Sequence, residues 1–466
     1  MKKRVWFIIF GVCLLGLAAW FGFNFTKHIG QPTLSTPLAL GSEDRILILA
    51  PHPDDEVLGC GGVIQEAVKR KIPVRIVFFT YGDNAQWSFF LYRKHPVILP
   101  RAARKMGLVR HDEAMAVDKM LGIPPEEITF LGYPDFRTIH IWYSHWKDQP
   151  PAKSMLTRVK AVPYANAFRP GAPYKGEEIL RDLKEIILEF KPTRVFLPHP
   201  ADHSPDHKAL YLFTRLGLWD IENQIKPILY PYLVHYKRWP NPKGYQPERK
   251  LVPPANLNQG IAWQTYNLNP GEITKKYSAV KKYHTQYNTS RSYLLSFIGS
   301  NELFGDFPAI SLKPETYNFF LSSRKKEEVP EPPEELTDEE RAVFLGIEEQ
   351  MVSLQGKNLV VSLKLSRPVV GTVGLSVYLF GYRKDKPFPD MPKLHVAFGA
   401  VEHRIFDQTK RLPLNTVLVK RDSKNIFLTV PLEVLGNPSL VLANAQTYLG
   451  EVPLDQAPWR VIEIGK

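Results

Sequence analysis

A chain of 466 residues, 44% hydrophobic and 23% charged, has the composition of globular protein and the length for two or three domains. Its formal charge of +13 suits an anionic neighbourhood such as a membrane face or an acidic polymer, but no clustered basic helix or RNA-binding signature accompanies it, so nucleic acid is set aside. The two cysteines, Cys13 and Cys60, lie in an apolar leader and a glycine-rich turn, which argues against a structural disulfide and leaves Cys60 as a small packing residue.

Lys2, Lys3 and Arg4 precede about 19 uncharged residues, which as a helix would span roughly 30 Å, the thickness of a bilayer core. Trp20 and Phe21 stand where a cleavage site wants small residues, and aromatic side chains suit a membrane interface. Residues 1–25 are therefore expected to form an uncleaved, single-pass transmembrane anchor with the remaining chain extracytoplasmic; secretion after cleavage is the alternative. Residues 26–43, rich in Pro, Ser, Thr and Gly, read as a tether.

From residue 44 strands and helices alternate. Arg45–Ala50 is an apolar strand running into Pro51-His52-Pro53-Asp54-Asp55-Glu56, followed by a helix from about Glu56 to Lys71. Pro73–Tyr81 reads as a second buried strand, residues 84–100 as an inserted loop or short helix, and Arg101–Leu121 as a helix with apolar residues near 3.6 spacing. A third strand, Ile128–Leu131, ends at Gly132-Tyr133-Pro134-Asp135. Residues 136–174 mix Trp142, Tyr143, Trp146, Tyr164 and Phe168 with Lys and Arg, either a sugar-stacking wall or a packed excursion. An amphipathic helix over Glu177–Phe190 precedes a strand at Arg194–Leu197. That strand runs into His199-Pro200-Ala201-Asp202-His203-Ser204-Pro205-Asp206-His207, where Pro205 suits the first turn of a further helix. Ile228–Tyr236 is one more strand. This alternation predicts an α/β fold, a Rossmann-like, mostly parallel sheet with helices on both faces, over residues 44–321.

Residues 322–340 are charged and Pro-rich, hence a linker. Beyond it, Leu359–Leu365, Thr372–Tyr382, His395–Phe406, Asn425–Val430, Ser439–Ala443 and Trp459–Ile464 read as strands without intervening helices, predicting a β-sandwich-like domain over residues 341–466.

One imidazole and three carboxylates within His52–Glu56 are costly to crowd together without a positive partner, and a divalent metal is the simplest one. In a parallel sheet the two His/Asp-dense strand ends share an edge. His52, Asp55 and His207 would then be three protein ligands to zinc, leaving one position for a water whose pKa zinc lowers to about 7. Asp54, on the same turn, would take that proton as general base. Gly59, Gly61 and Gly62 do not make a G-x-G-x-x-G loop, and the acids before them would repel pyrophosphate, so no nucleotide cofactor is expected.

The phrase PHPDDEVLGCGG resembles the AHPDDE signature of the LmbE/PIG-L family of zinc-dependent deacetylases, and DHSPDH resembles that family's second metal motif. Arg110-His111-Asp112-Glu113 is similar to its RxxE helix, and Lys281–Tyr287 with Phe297–Phe304 to its closing region. The resemblance implies His52, Asp55 and His207 as metal ligands, Asp54 as base, Arg110 as a sugar-substrate contact and Asp206 as a residue orienting catalytic groups. Arg110 also reads as half of an ordinary ion pair with Glu113. Where the family commonly has His-Pro-Asp-His, this chain has Ser204, so the acid that must protonate the leaving amine is open: His203 is one candidate and His199 another.

The expected reaction is removal of an N-acetyl group from a GlcNAc-type sugar of a glycan or glycoconjugate. A carbohydrate-binding envelope protein with a non-catalytic metal site, and a zinc amidase acting on another N-acyl substrate, are the alternatives.

Overall fold

The computed structural model describes residues 36–84, 99–257, 260–313, 319–320, 330–333 and 336–465. An eight-stranded sheet carries the first part of the chain. Its strands are β1 (Thr36–Pro37), β2 (Ile46–Ala50), β3 (Val74–Phe78), β4 (Ile128–Phe130), β5 (Arg194–Pro198), β6 (Ile228–Tyr232), β7 (Gln264–Asn267) and β8 (Asn301–Phe304). Their order across the sheet is β4-β3-β2-β5-β6-β8-β7-β1. The run from β4 to β6 is parallel, and β8 pairs antiparallel with both β6 and β7. The central strand β2, ILILA, is buried end to end, as a strand covered on both faces requires.

Two groups of helices flank this sheet. α1 (Asp55–Lys69), α2 (Pro100–Leu121) and α6 (Pro270–Lys282) contact one another, while α3 (Thr138–Ser144), α4 (Gly176–Phe190) and α5 (Pro205–Asp220) form the second group. α7 (His284–Leu295) follows α6. The α4 stripe is legible in the sequence: Ile179, Leu183, Ile186, Ile187 and Phe190 recur at helical spacing and are all buried. The chain leaves β2 toward β3 and β4, then returns to place β5 on the other side of β2. That reversal opens the loops after β2 and β5 side by side at the carboxyl edge of the sheet. Gly59 lets the end of β6 approach α1 closely. A Cβ there would lie 2.6 Å from the Tyr232 ring, whose hydroxyl donates to the Leu49 carbonyl at 2.8 Å.

The second part is two sheets packed on each other. One has five strands, β10 (Phe319–Phe320), β11 (Ile347–Gln355), β12 (Asn358–Leu365), β18 (Asn425–Pro431) and β17 (Leu418–Asp422), in that spatial order. The other contains β16 (Lys410–Leu412), β15 (His403–Asp407), β14 (Lys393–Phe398), β13 (Val373–Tyr382), β19 (Leu440–Leu449), β21 (Arg460–Ile464) and β9 (Ile310–Leu312), with β20 (Val452–Gln456) beside β19. Strand β13 is buried at all 10 positions, for a reason its alternation makes plain. Leu375, Val377 and Leu379 face the sandwich core, while Tyr378, Phe380 and Tyr382 join the core of the α/β part.

Several expectations change. The segment read as a tether contributes β1, hydrogen-bonded alongside β7, and Leu38 and Leu40 after it are buried, so apolar anchoring overrides its loop-like composition from residue 36 onward. The single strand expected over His395–Phe406 is the hairpin β14–β15, because Gly399 and its neighbours turn the chain, with the Gly399 amide donating to the Glu402 carbonyl at 2.9 Å. β9 lies within the range expected for the first domain but pairs with β21. The linker's distal end is folded: Thr337 and Glu340 make a reciprocal capping box on α8 (Asp338–Ala342). The edge strand β17 gave no signal because neither of its faces is buried. The aromatic segment after β4 is no open wall. Trp142 and Trp146 are fully buried, and Trp142 packs against Phe380, Phe388 and Trp459 of the sandwich. Among the described residues no helix is long and apolar enough to cross a membrane; the expected anchor at residues 1–25 lies outside the described residues, as do residues 85–98 of the expected loop.

Candidate metal centre

Carboxyl ends of five strands converge on one cluster. After β2 come His52, Asp54 and Asp55; after β3, Asp83; after β4, Asp135; after β5, Asp202, Asp206 and His207; after β6, His235. Asp55 Oδ2 is the centre of this group. It stands 3.1 Å from His52 Nδ1 and 3.1 Å from His207 Nε2, and it accepts the His52 amide at 3.0 Å. His52, Asp55, His207 and His235 each place a donor atom within 4.8 Å of the others.

The outward nitrogens of both imidazoles meet carboxylates. His52 Nε2 lies 3.1 Å from Asp135 and 3.1 Å from Asp206. His207 Nδ1 lies 3.1 Å from Asp202, which also accepts the Ser204, Val234 and His235 amides at 2.9–3.1 Å. Asp206 is fixed in turn by the Phe136 amide at 2.6 Å and by the Thr138 hydroxyl. A carboxylate 3.1 Å behind each ring leaves the other nitrogen facing Asp55, the usual support of a metal-ligating histidine.

Charge argues the same way. Burial opposes protonation of His207, yet Asp202 and Asp55 override it and hold the imidazole up at about 9; His52 is raised likewise against its burial by Asp135, Asp206 and Asp55. So many buried carboxylates demand positive charge, which protons meet when no ion does. Although oxygens stand 3.1 Å from both His207 ring nitrogens, neither nitrogen completes a well-aligned hydrogen bond. A tetrahedral zinc with bonds of about 2.0–2.1 Å sets its ligand atoms roughly 3.3 Å apart, close to the spacing around Asp55. The donor set of two imidazoles and a carboxylate therefore fits a divalent ion.

Asp54 sits beside this cradle with φ of 122°, a conformation costly for any residue but glycine. The turn is held by its carbonyl, which accepts the Val57 and Leu58 amides at 3.1 and 3.0 Å, and by its amide, which donates to Glu56 at 3.0 Å. Burial lifts the Asp54 carboxyl to about 7, against the pull of the Arg110 guanidinium 3.7 Å away. A buried carboxyl near neutrality can both take and return a proton.

Other expected residues fall elsewhere. Arg110 is only 4% exposed and donates to the Gly82 carbonyl at 3.0 Å and the Pro53 carbonyl at 2.8 Å, so it braces the Asp54 turn from behind instead of reaching outward to a sugar. Gly82, at φ 64°, leaves the room the guanidinium occupies. Nor does Arg110 pair with Glu113, which accepts from the Thr285 amide and hydroxyl at 2.9 and 2.6 Å. His203 is exposed beside Tyr236, ring centroids 5.0 Å apart, outside the donor cluster. His199 is fully buried against Trp263, and burial pushes it down to about 3. The histidine at the cluster is His235, its ring 4.7 Å from that of His207 and its Nδ1 3.2 Å from the Tyr293 hydroxyl. Asp135 and His235 carry no motif of their own, and the signal that finds them is their position just past the ends of parallel strands; Asp202 opens the DHSPDH motif, but its place behind His207 is seen only in the fold. Arg110→Met is expected to raise the Asp54 pKa by removing a neighbouring positive charge, moving the acid limb of kcat/KM to higher pH. An unchanged limb would dissociate Arg110 from Asp54.

Residues 47–216 match the family model described as PIG-L, GlcNAc-PI de-N-acetylase. The 1D-myo-inositol 2-acetamido-2-deoxy-alpha-D-glucopyranoside deacetylase of Mycobacterium sp. (strain KMS) is 26% identical over 190 residues, 40% of this chain and 56% of that protein. The match thus spans about half the length of this curated relative. Among solved structures, the N,N'-diacetylchitobiose deacetylase from Pyrococcus horikoshii is 17% identical, covering 54% of this chain and 75% of its own at a TM-score of 0.31. A deacetylase of the teicoplanin biosynthesis pathway is 17% identical over 56% and 97%, at 0.37. The 4-carboxy-2-hydroxymuconate hydratase of Pseudomonas putida is 15% identical over 58% and 99%, at 0.33.

Proposed function

We propose that this chain, which carries a PIG-L-family domain at residues 47–216, is a metal-dependent hydrolase that removes the acetyl group from an N-acetylated amino sugar. The observation that carries the reading is the Asp55 oxygen flanked at 3.1 Å by two inward-aimed imidazole nitrogens, with the uncommitted carboxyl of Asp54 on the same turn. His52, Asp55 and His207 would hold the ion, and zinc suits their chemistry. What zinc supplies when bound is Lewis-acid polarisation of the acetyl carbonyl and a water acidic enough to react near neutral pH. Asp54 takes the proton from the attacking water. It then returns a proton to the departing nitrogen, since an amine leaves poorly unless protonated. Asp135, Asp202 and Asp206 keep both imidazoles oriented throughout. The curated relative named above acts on an acetamido sugar, which supports the substrate class.

The apolar leader of residues 1–25 supports a further part of the proposal, that the enzyme is membrane-tethered and works outside the cytoplasm.

A second reading has one observation behind it. His235 brings a fourth donor within 4.8 Å, and a fully protein-ligated ion is characteristic of structural sites. The zinc-loaded chain incubated with N-acetylated glucosamine oligosaccharides separates the two. Acetate release that stops with a chelator and returns with zinc is expected. Stoichiometric zinc without acetate release would sink the catalytic reading and favour the structural one.

A further inference from the structure

Of the aromatic residues that follow β4, Trp142, Trp146, Tyr164 and Tyr174 are buried, but Phe136 is 45% exposed. Its backbone is also unfavourable, with φ of 60°, where a bulky side chain costs roughly 1–2 kcal/mol relative to ordinary geometry. Neither feature helps the fold: the ring gives up part of its possible burial and the backbone pays strain. The position is nonetheless tightly held. The Phe136 amide donates to Asp206 at 2.6 Å, and its neighbour Asp135 lies 3.1 Å from His52 Nε2. The result is an aromatic face at the edge of the ion cradle, its ring centroid 6.3 Å from that of His52 and tilted by 30°.

We propose that Phe136 is the platform on which the apolar C–H face of the substrate's pyranose ring rests, a specificity-determining contact that delivers the acetamido group to the cradle. The inference rests on the sugar reading above. A sugar ring has one surface that water serves poorly, and an exposed aromatic ring is the side chain that covers it. The hydrogen bond to Asp206 links the platform to the same carboxylate that orients His52, so ring and cradle keep a fixed separation.

The test measures binding apart from turnover. Zinc-loaded Asp54→Asn protein is titrated with N,N',N''-triacetylchitotriose by calorimetry, with and without a second change at Phe136. Phe136→Ala is expected to weaken binding about tenfold, the scale of burying the remainder of an aromatic side chain, and Phe136→Trp to retain it. Zinc stoichiometry should be equal in all variants. Phe136→Gly, which suits the left-handed backbone, should lose sugar affinity as far as Phe136→Ala does, so that the loss reads the ring and not the backbone strain. Equal sugar affinity with phenylalanine and alanine overturns the proposal even if the native chain releases acetate. Failure of the parent protein to bind the sugar overturns it as well. Phenylalanine-dependent binding by a chain that releases no acetate would uphold the platform and reject the deacetylase reading alone.

Discussion

Asp54→Asn is expected to lower turnover by about 10²–10⁴-fold, the usual contribution of a positioned general base, while zinc remains at one ion per chain. The substitution keeps the size of the side chain and the strained turn, and removes only the capacity to accept a proton. Because His52, Asp55 and His207 carry the ion without it, metal content should not change. Burial raises the Asp54 carboxyl to about 7, with Arg110 opposing, so in the native enzyme activity should fall as pH drops through the protonation of this group. The positive charge of a bound ion moves that limb below 7, and the asparagine variant should lack it altogether. Native-like turnover in Asp54→Asn would remove this residue from the mechanism.

Loss of the ion should follow His207→Ala, with acetate release abolished and zinc no longer stoichiometric after dialysis. The variant leaves Asp55 and Asp202 facing each other across a space from which their shared imidazole has gone. Asp202→Asn is the gentler probe. It removes the carboxylate 3.1 Å behind His207 Nδ1 and should weaken zinc about 10–100-fold without touching a ligand. Proton release on loading the native protein checks the same account. His207, held up at about 9 by Asp202 and Asp55 against its burial, carries a proton at pH 7 that the ion must displace. Zinc affinity should therefore rise with pH until that value is passed. Calorimetry in buffers of different ionisation enthalpy reads the proton directly; binding without release would mean His207 is not a ligand.

The elements legible in the sequence were those whose meaning is local. A continuous apolar run such as Ile46–Ala50 states that both its faces are covered, and the histidine–acid cluster after it states that charge must be balanced nearby. The two distant motifs could be paired because parallel strands share an edge. Residues whose meaning depends on closure of the sheet were not legible. Asp135 and His235 are single polar residues after two different strands, and each looks like an ordinary turn residue until the strands align; Asp202 stands in the DHSPDH motif, but its place behind His207 depends on the same closure. Arg110 has the sequence pattern of a substrate contact, but only the packing of α2 against the Asp54 turn reveals that its guanidinium is spent on the Gly82 and Pro53 carbonyls. Composition also failed to separate a ligand wall from a domain contact. Trp142 and Trp146 have the aromatic character expected of either, and the deciding fact, Phe380 and Trp459 opposite Trp142 and Phe388 opposite Trp146, lies more than 200 positions later in the chain.

Strand β13 carries a consequence of its own. With alternate side chains committed to two interiors, neither half of the molecule is complete without the other. Helix α3, whose Thr138 holds Asp206 behind His52, gains part of its apolar cover from Phe380 and Trp459 through Trp142, and α5, which carries Asp206, packs Trp219 against Tyr382. The sandwich is thus a retaining wall for the chemistry. Deleting it would strip apolar cover from Trp142 on α3, the helix whose Thr138 hydroxyl holds Asp206 behind His52.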